Sequence, residues 1–160
     1  MRSSLRNVLV LVAVGVALTM RLEAQSAREL QFQGVGTFAT ARYWGGGLGF
    51  ALRAQGRMRA GLSLYAGDLS RKPEGADRDH RFAGRGELML SYHANPYKRS
   101  GIAPYAGGGV AIAATSDEML EYVLLAIGVE AAPGGRSGWF AELGIGGGVR
   151  VSAGYRLRWR

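Results

Sequence analysis

Apolar and polar residues alternate along most of this chain, in eight stretches separated by glycine, proline or clustered charge. Strict alternation marks a strand whose two faces meet different environments. The first stretch, about Glu29 to Arg42, sets Leu30, Phe32 and Phe38 against Gln31, Gln33 and Thr37. After Tyr43-Trp44-Gly45-Gly46, the second, about Gly47 to Gln55, sets Leu48, Phe50 and Leu52 against Gly49, Ala51 and Arg53. The third, about Arg57 to Gly67, opposes Met58, Ala60, Leu62 and Leu64 to Arg59, Gly61, Ser63 and Tyr65. The fourth, about Arg81 to Ala94, opposes Phe82, Leu88, Leu90 and Tyr92 to Arg85, Glu87, Ser91 and His93.

The second half repeats the pattern. Strands are predicted at about Ile102 to Ala114, Glu121 to Ala131, Trp139 to Ile145 and Val149 to Trp159. Their apolar faces carry Val110 and Ile112, then Val123, Leu125, Ile127 and Val129, then Trp139, Ala141, Leu143 and Ile145, then Val151, Tyr155, Leu157 and Trp159. Opposite them stand Tyr105, Gly107, Gly109 and Ala111, then Ala126, Gly128 and Glu130, then Glu142 and Gly144, then Arg150, Ser152, Gly154, Arg156 and Arg158. Turns are expected near Gln55-Gly56, Asn95-Pro96 and Pro133-Gly134-Gly135. The longest polar loop is expected from Asp68 to about His80.

Which face lies inside decides the architecture, because a soluble ligand-binding barrel alternates as well. In that alternative the apolar face would line a pocket with Leu62, Leu90, Leu125 and Leu143. Here the opposite face mixes glycine and alanine with isolated Arg53, Arg59, Arg85, Glu87, Glu130, Glu142, Arg150 and Arg156. Tiny residues beside long charged ones suit a narrow lumen, whereas a water-exposed face has no need of so much glycine. The apolar faces are then outside. Eight strands of roughly 9–11 residues each span a bilayer, and closing them into a barrel removes every unpaired edge. The pattern therefore points to an all-β fold, an eight-stranded antiparallel up-and-down transmembrane barrel.

The start of the chain is of another kind. Arg2 and Arg6 precede an uninterrupted apolar run from Val8 to Met20, and Leu22-Glu23-Ala24 stands before Gln25. This has the order of a secretory signal peptide, and the run is short of the roughly 20 residues of a membrane-spanning helix. A signal peptide at 1–24 and a barrel domain at 25–160 are expected.

Composition narrows the chemistry. Of 160 residues 26 are glycine, near one in six, against an average of about 7%. With no cysteine and 2 histidines, disulfide scaffolds, thiolate sites and all-histidine metal sites are excluded. No metal or cofactor is expected. The formal net charge of +8 falls to +6 once 1–24 are removed (17 basic against 11 acidic residues). An exported protein rarely meets nucleic acid, so none is expected as a partner.

The chain resembles the small outer-membrane β-barrel proteins of the OmpA/OmpX type, and more closely the glycine-rich "outer membrane protein beta-barrel domain" families. The resemblance rests on the signal-like start, on Ile102-Ala103-Pro104-Tyr105-Ala106-Gly107-Gly108-Gly109, and on the closing Val151-Ser152-Ala153-Gly154-Tyr155-Arg156-Leu157-Arg158-Trp159. It implies an outer-membrane location with both termini in the periplasm. It also implies a final strand read by the barrel assembly machinery through Val151, Ala153, Tyr155, Leu157 and Trp159, although Arg160 follows where members usually end on the aromatic residue. Outer-membrane lipids, lipopolysaccharide and periplasmic chaperones are the implied partners, and an external ligand is unknown. Aromatic girdles would hold Tyr92, Trp139, Tyr155 and Trp159 at the periplasmic side, with Trp44 and Tyr122 at the outer one.

Three chemistries suit the residue types of the charged face. A structural network plugging the lumen is favoured, since an unpaired charge there is costly; a narrow channel or carrier for small solutes is the alternative. A serine hydrolase built on Ser91 and His93 with Glu87 is disfavoured, because residues two apart on a strand lie about 6.5 Å apart at the backbone. Gly34-x-Gly36-x-x-Ala39 matches a dinucleotide fingerprint without a following helix, and Gly45-Gly46-Gly47 is read as a turn. An enzyme is not expected.

Overall fold

A computed structural model of the chain describes residues 27–53, 56–71 and 79–159. Eight strands follow one another: β1 (Ala27–Phe38), β2 (Ala41–Arg53), β3 (Met58–Arg71), β4 (Asp79–His93), β5 (Ile102–Ala114), β6 (Met119–Ala131), β7 (Ser137–Ile145) and β8 (Val149–Trp159). Each pairs antiparallel with the next, and β8 returns to β1, closing an up-and-down barrel. The proposed signal segment and its cleavage point lie outside the described residues.

The faces fall as the alternation predicts. Phe32, Phe50, Leu62, Leu90, Leu125 and Leu143 point outward, and Leu125, in the middle of β6, is 52% exposed. Its inward neighbours Leu124 and Ala126 are buried. A lumen pocket lined by these leucines is therefore ruled out by their orientation. Glycine keeps space for large partners: a Cβ on Gly128 would stand 2.6 Å from the Tyr105 ring, and one on Gly49 would stand 2.7 Å from the Gln33 amide.

Several boundaries differ from expectation, for one recurring reason. The Gly45-Gly46-Gly47 run is strand rather than turn, paired with Val35, Gly34 and Gln33 on one side and Gly67, Ala66 and Tyr65 on the other. Glycine reads as a breaker in isolation, but here it permits close approach of the neighbouring backbone: a Cβ on Gly47 would lie 2.0 Å from the Leu64 carbonyl oxygen. The first connection is accordingly at Ala39 and Thr40. The polar loop also contracts. β3 continues to Arg71 and β4 begins at Asp79, so Asp68, Asp79 and His80 belong to a paired hairpin. Only 72–78 separate the two strands, and they lie outside the described residues. The short β7–β8 link is a tight turn at Gly146-Gly147-Gly148, where Gly147 and Gly148 take positive φ of 83° and 126°.

Candidate functional site in the barrel lumen

The inner face assembles from all eight strands. Six arginines (Arg53, Arg59, Arg85, Arg150, Arg156 and Arg158) and four glutamates (Glu29, Glu87, Glu130 and Glu142) are buried in it among the described residues. All eight lumen charges expected from the sequence are present, and they are joined by Glu29 and Arg158. Arg158 was legible, lying on the same face as Arg156. Glu29 sits at the very start of the first alternating stretch, where the pattern had not yet declared its phase.

The charges form two clusters linked through Tyr105. Toward the end where β2–β3, β4–β5 and β6–β7 connect (the turn end, the loop end being the opposite one), Glu29 meets Arg158 at 3.1 Å, Arg53 at 3.2 Å and Arg59 at 3.4 Å. Glu130, fully buried, meets Arg158 at 2.9 Å, Arg53 at 3.3 Å and Arg59 at 3.5 Å, and is also bonded by Arg156. Toward the loop end, Glu87 accepts from Arg85 at 2.8 Å and from Arg150 at 2.7 and 3.0 Å, and Glu142 accepts from Arg150 at 2.8 Å. Tyr105 donates to Glu142 at 2.7 Å while Arg156 donates to the Tyr105 hydroxyl at 3.0 Å, which ties the clusters together.

Arginine outnumbers glutamate by two, and backbone carbonyls take up several of the remaining donors, while Arg53 Nε and Arg156 Nε are buried without a partner. Arg53 donates to the Pro96 carbonyl at 2.8 Å and the Pro133 carbonyl at 3.1 Å. Arg158 reaches Ala132 at 3.1 Å, and Arg85 reaches Gly146 at 2.8 Å. The network thus grips the turns at both ends of the lumen. The turns at 94–101 and 132–135 also bond each other, Gly134 N–H to the Lys98 carbonyl and Ala132 N–H to the Gly101 carbonyl, each at 2.8 Å.

The packing leaves little room. An internal void bordered by Gln33, Ser63, Tyr65, Ser91, Glu87 and Arg150 measures about 20 Å³, space for roughly one water molecule. The larger concavity, about 670 Å³, lies on the outer wall, where Ala106 and Ala141 sit low between Tyr92, Ile127 and Leu143.

Ser91 and His93 do meet. Ser91 Oγ lies 3.1 Å from His93 Nε2, and His93 Nδ1 lies 2.6 Å from Glu130 Oε1. The backbone separation of residues two apart was thus a poor guide, because same-face side chains lean toward each other across that gap. Glu87, however, is not the third member. It faces Arg85 and Arg150 on the other side of the void. All three members of the resulting Ser–His–Glu chain are buried, and Glu130 is held by four guanidinium groups.

The aromatic positions divide. Tyr92, Trp139, Tyr155 and Trp159 are exposed on the outside near the turn end, as expected. Trp44 stands outside near the loop end, edge-on to Phe38 with centroids 4.9 Å apart and packed over Gly36. Tyr122 instead turns inward, under the Arg85 guanidinium 5.9 Å from its ring. Its register one residue from Val123 places it on the lumen face, so it belongs to no outer girdle. Gly34 and Gly36 are inside β1, which rules out a helix after the fingerprint-like spacing. Val151, Ala153, Tyr155, Leu157 and Trp159, the positions at which an assembly signal is expected, all lie on the outer side of β8.

A closed eight-stranded antiparallel barrel with an apolar exterior and an ionic interior defines the small β-barrel type of fold. Its fold is similar to the crystal structure of the N-terminal β-barrel domain of OprF from Pseudomonas aeruginosa, with TM-score 0.55 and 18% identity, covering 86% of this chain and 100% of that domain. No protein-family model matches the chain, and no curated protein matches it in sequence.

Proposed function

We propose that this chain is a structural outer-membrane barrel whose lumen is plugged by its own side chains, and that its interactions are made by its surfaces rather than through a pore or an active site. The observation that carries this reading is the inversion of polarity: large apolar residues cover the outside, while ten formally charged side chains are paired within. In water that arrangement would expose the apolar belt at great cost. In hydrocarbon it is the arrangement a closed sheet requires. Export through a cleaved segment at 1–24, periplasmic termini, and assembly through Val151, Ala153, Tyr155, Leu157 and Trp159 complete the reading. Lipopolysaccharide and other outer-membrane lipids are its proposed surroundings, and no catalytic role is assigned to Ser91, His93 or Glu130.

The test is fractionation of expressing cells, followed by gel mobility in SDS with and without boiling. An outer-membrane band that runs faster unboiled supports the reading. A soluble monomer that needs no detergent refutes it. Planar-bilayer recording of the purified barrel addresses the plug: stable, selective conductance removed by substituting Glu87 or Glu142 would replace the structural role with a channel.

A further inference from the structure

Charge is distributed unequally along the barrel axis outside the lumen. The described residues at the turn end include Arg28, Arg57, Lys98, Arg99 and Arg136, all exposed, and no aspartate or glutamate outside the lumen. Among the described residues of the loop end, Arg42, Arg71 and Arg81 are outnumbered by Asp68, Asp79, Asp117, Glu118 and Glu121. Those charges largely satisfy one another, with Arg71–Glu118 at 2.9 Å and Arg81–Asp117 at 2.5 Å. The cations of the turn end have no such partners among the described residues.

Three of these cations sit beside outward aromatic residues. Arg28 lies opposite Trp159 in the β1–β8 register. Arg57 donates to the Tyr92 hydroxyl at 2.9 Å, with its guanidinium 5.8 Å from the ring centre. Arg136 precedes Ser137, whose hydroxyl accepts from Tyr155 at 3.0 Å. Outward Trp and Tyr favour the boundary between hydrocarbon and headgroups, so these cations would lie among phosphates.

We propose that this basic rim is a binding surface for anionic phospholipid headgroups, those whose phosphodiester carries no compensating ammonium group. The proposal rests on the membrane-barrel reading above. A zwitterionic headgroup would bring its own cation toward five others. An anionic one supplies only the acceptor oxygens that arginine's fork of donors matches, and a basic rim near such a leaflet is attracted over a Debye length of about 8 Å at physiological salt.

The experiment uses the full barrel folded into phosphatidylcholine vesicles containing phosphatidylglycerol, with Trp44→Phe so that Trp139 and Trp159, both at the basic end, report. Quenching by brominated phosphatidylglycerol is compared with quenching by brominated phosphatidylcholine. Several-fold preferential quenching by the anionic lipid is expected. It should fall to parity at high salt and in the variant Arg28→Gln, Arg57→Gln, Lys98→Gln, Arg99→Gln, Arg136→Gln, and persist in Arg42→Gln, Arg71→Gln, Arg81→Gln. Equal quenching in a barrel that still shows the fast unboiled band overturns the lipid assignment and leaves the membrane reading intact. So does equal quenching accompanied by rim-dependent cosedimentation with purified peptidoglycan, which would transfer the surface to a wall polyanion. Failure to form the fast band in any vesicle overturns both.

Discussion

Glu130→Gln is the most incisive single perturbation, because one carboxylate organises most of the turn-end cluster. It is fully buried and lies within 3.5 Å of arginine nitrogens from β2, β3 and β8, with His93 Nδ1 at 2.6 Å. The glutamine keeps the shape but removes the charge, so the lumen passes from +2 (six arginines less four glutamates) to +3. A pair at 3.3 Å, such as Arg53–Glu130, is worth roughly 5 kcal/mol at an effective dielectric of about 20. Several such attractions disappear together, offset by the desolvation that the carboxylate no longer suffers. The net loss for breaking a buried ionic group is about 3–5 kcal/mol, a large share of a typical stability of 5–15 kcal/mol. The assay is equilibrium urea unfolding of the barrel in vesicles, followed by the fraction of fast-migrating unboiled band. Glu118→Gln, which breaks the half-exposed Arg71 pair, serves as the reference, and about 0–1 kcal/mol is expected there. Adding Arg156→Met to Glu130→Gln should recover part of the loss, giving a coupling energy on the order of 1–3 kcal/mol. If Glu130→Gln costs no more than Glu118→Gln, the lumen is hydrated well enough to screen its charges and the plugged-lumen argument fails.

Other expectations follow from the same geometry. Gly128→Val drives a side chain into the Tyr105 ring, which a Cβ alone already approaches to 2.6 Å; a loss of about 1–3 kcal/mol is expected by urea unfolding, and an unchanged midpoint would show that Tyr105 can move aside. Leu62→Arg places a charge on the outer wall and should cost about 2–4 kcal/mol in a bilayer. In a soluble barrel the same change would be near neutral, which the unfolding midpoint distinguishes. Glu142→Ala frees Arg150 and Tyr105 from a partner and should lower stability by about 3–5 kcal/mol, while planar-bilayer recordings of the folded fraction stay silent. Steady conductance in that variant would mean that Glu142 had been closing a pathway.

Much of this protein was readable from residue order alone. Strand number, the face most residues take and eight of the ten lumen charges follow from period-two alternation, because in a strand the face of position i is the face of i+2 wherever the strand happens to end. That is why Arg53, Arg59, Arg85, Glu87, Glu130, Glu142, Arg150 and Arg156 fall together on the inside. Boundaries were less legible: glycine at 45–47 has no side chain to declare a phase, and its role is set by the neighbouring β3 backbone that approaches it. Pairing was not legible at all. That Glu130 rather than Glu87 meets His93, that Tyr105 joins the two clusters, and that surplus arginines end on turn carbonyls depend on which strands lie across a narrow barrel from one another. Such partners are far apart in the chain, and only the closure of β8 on β1 fixes their distances. Local order thus determined what each strand presents, and the closed sheet decided what each side chain touches.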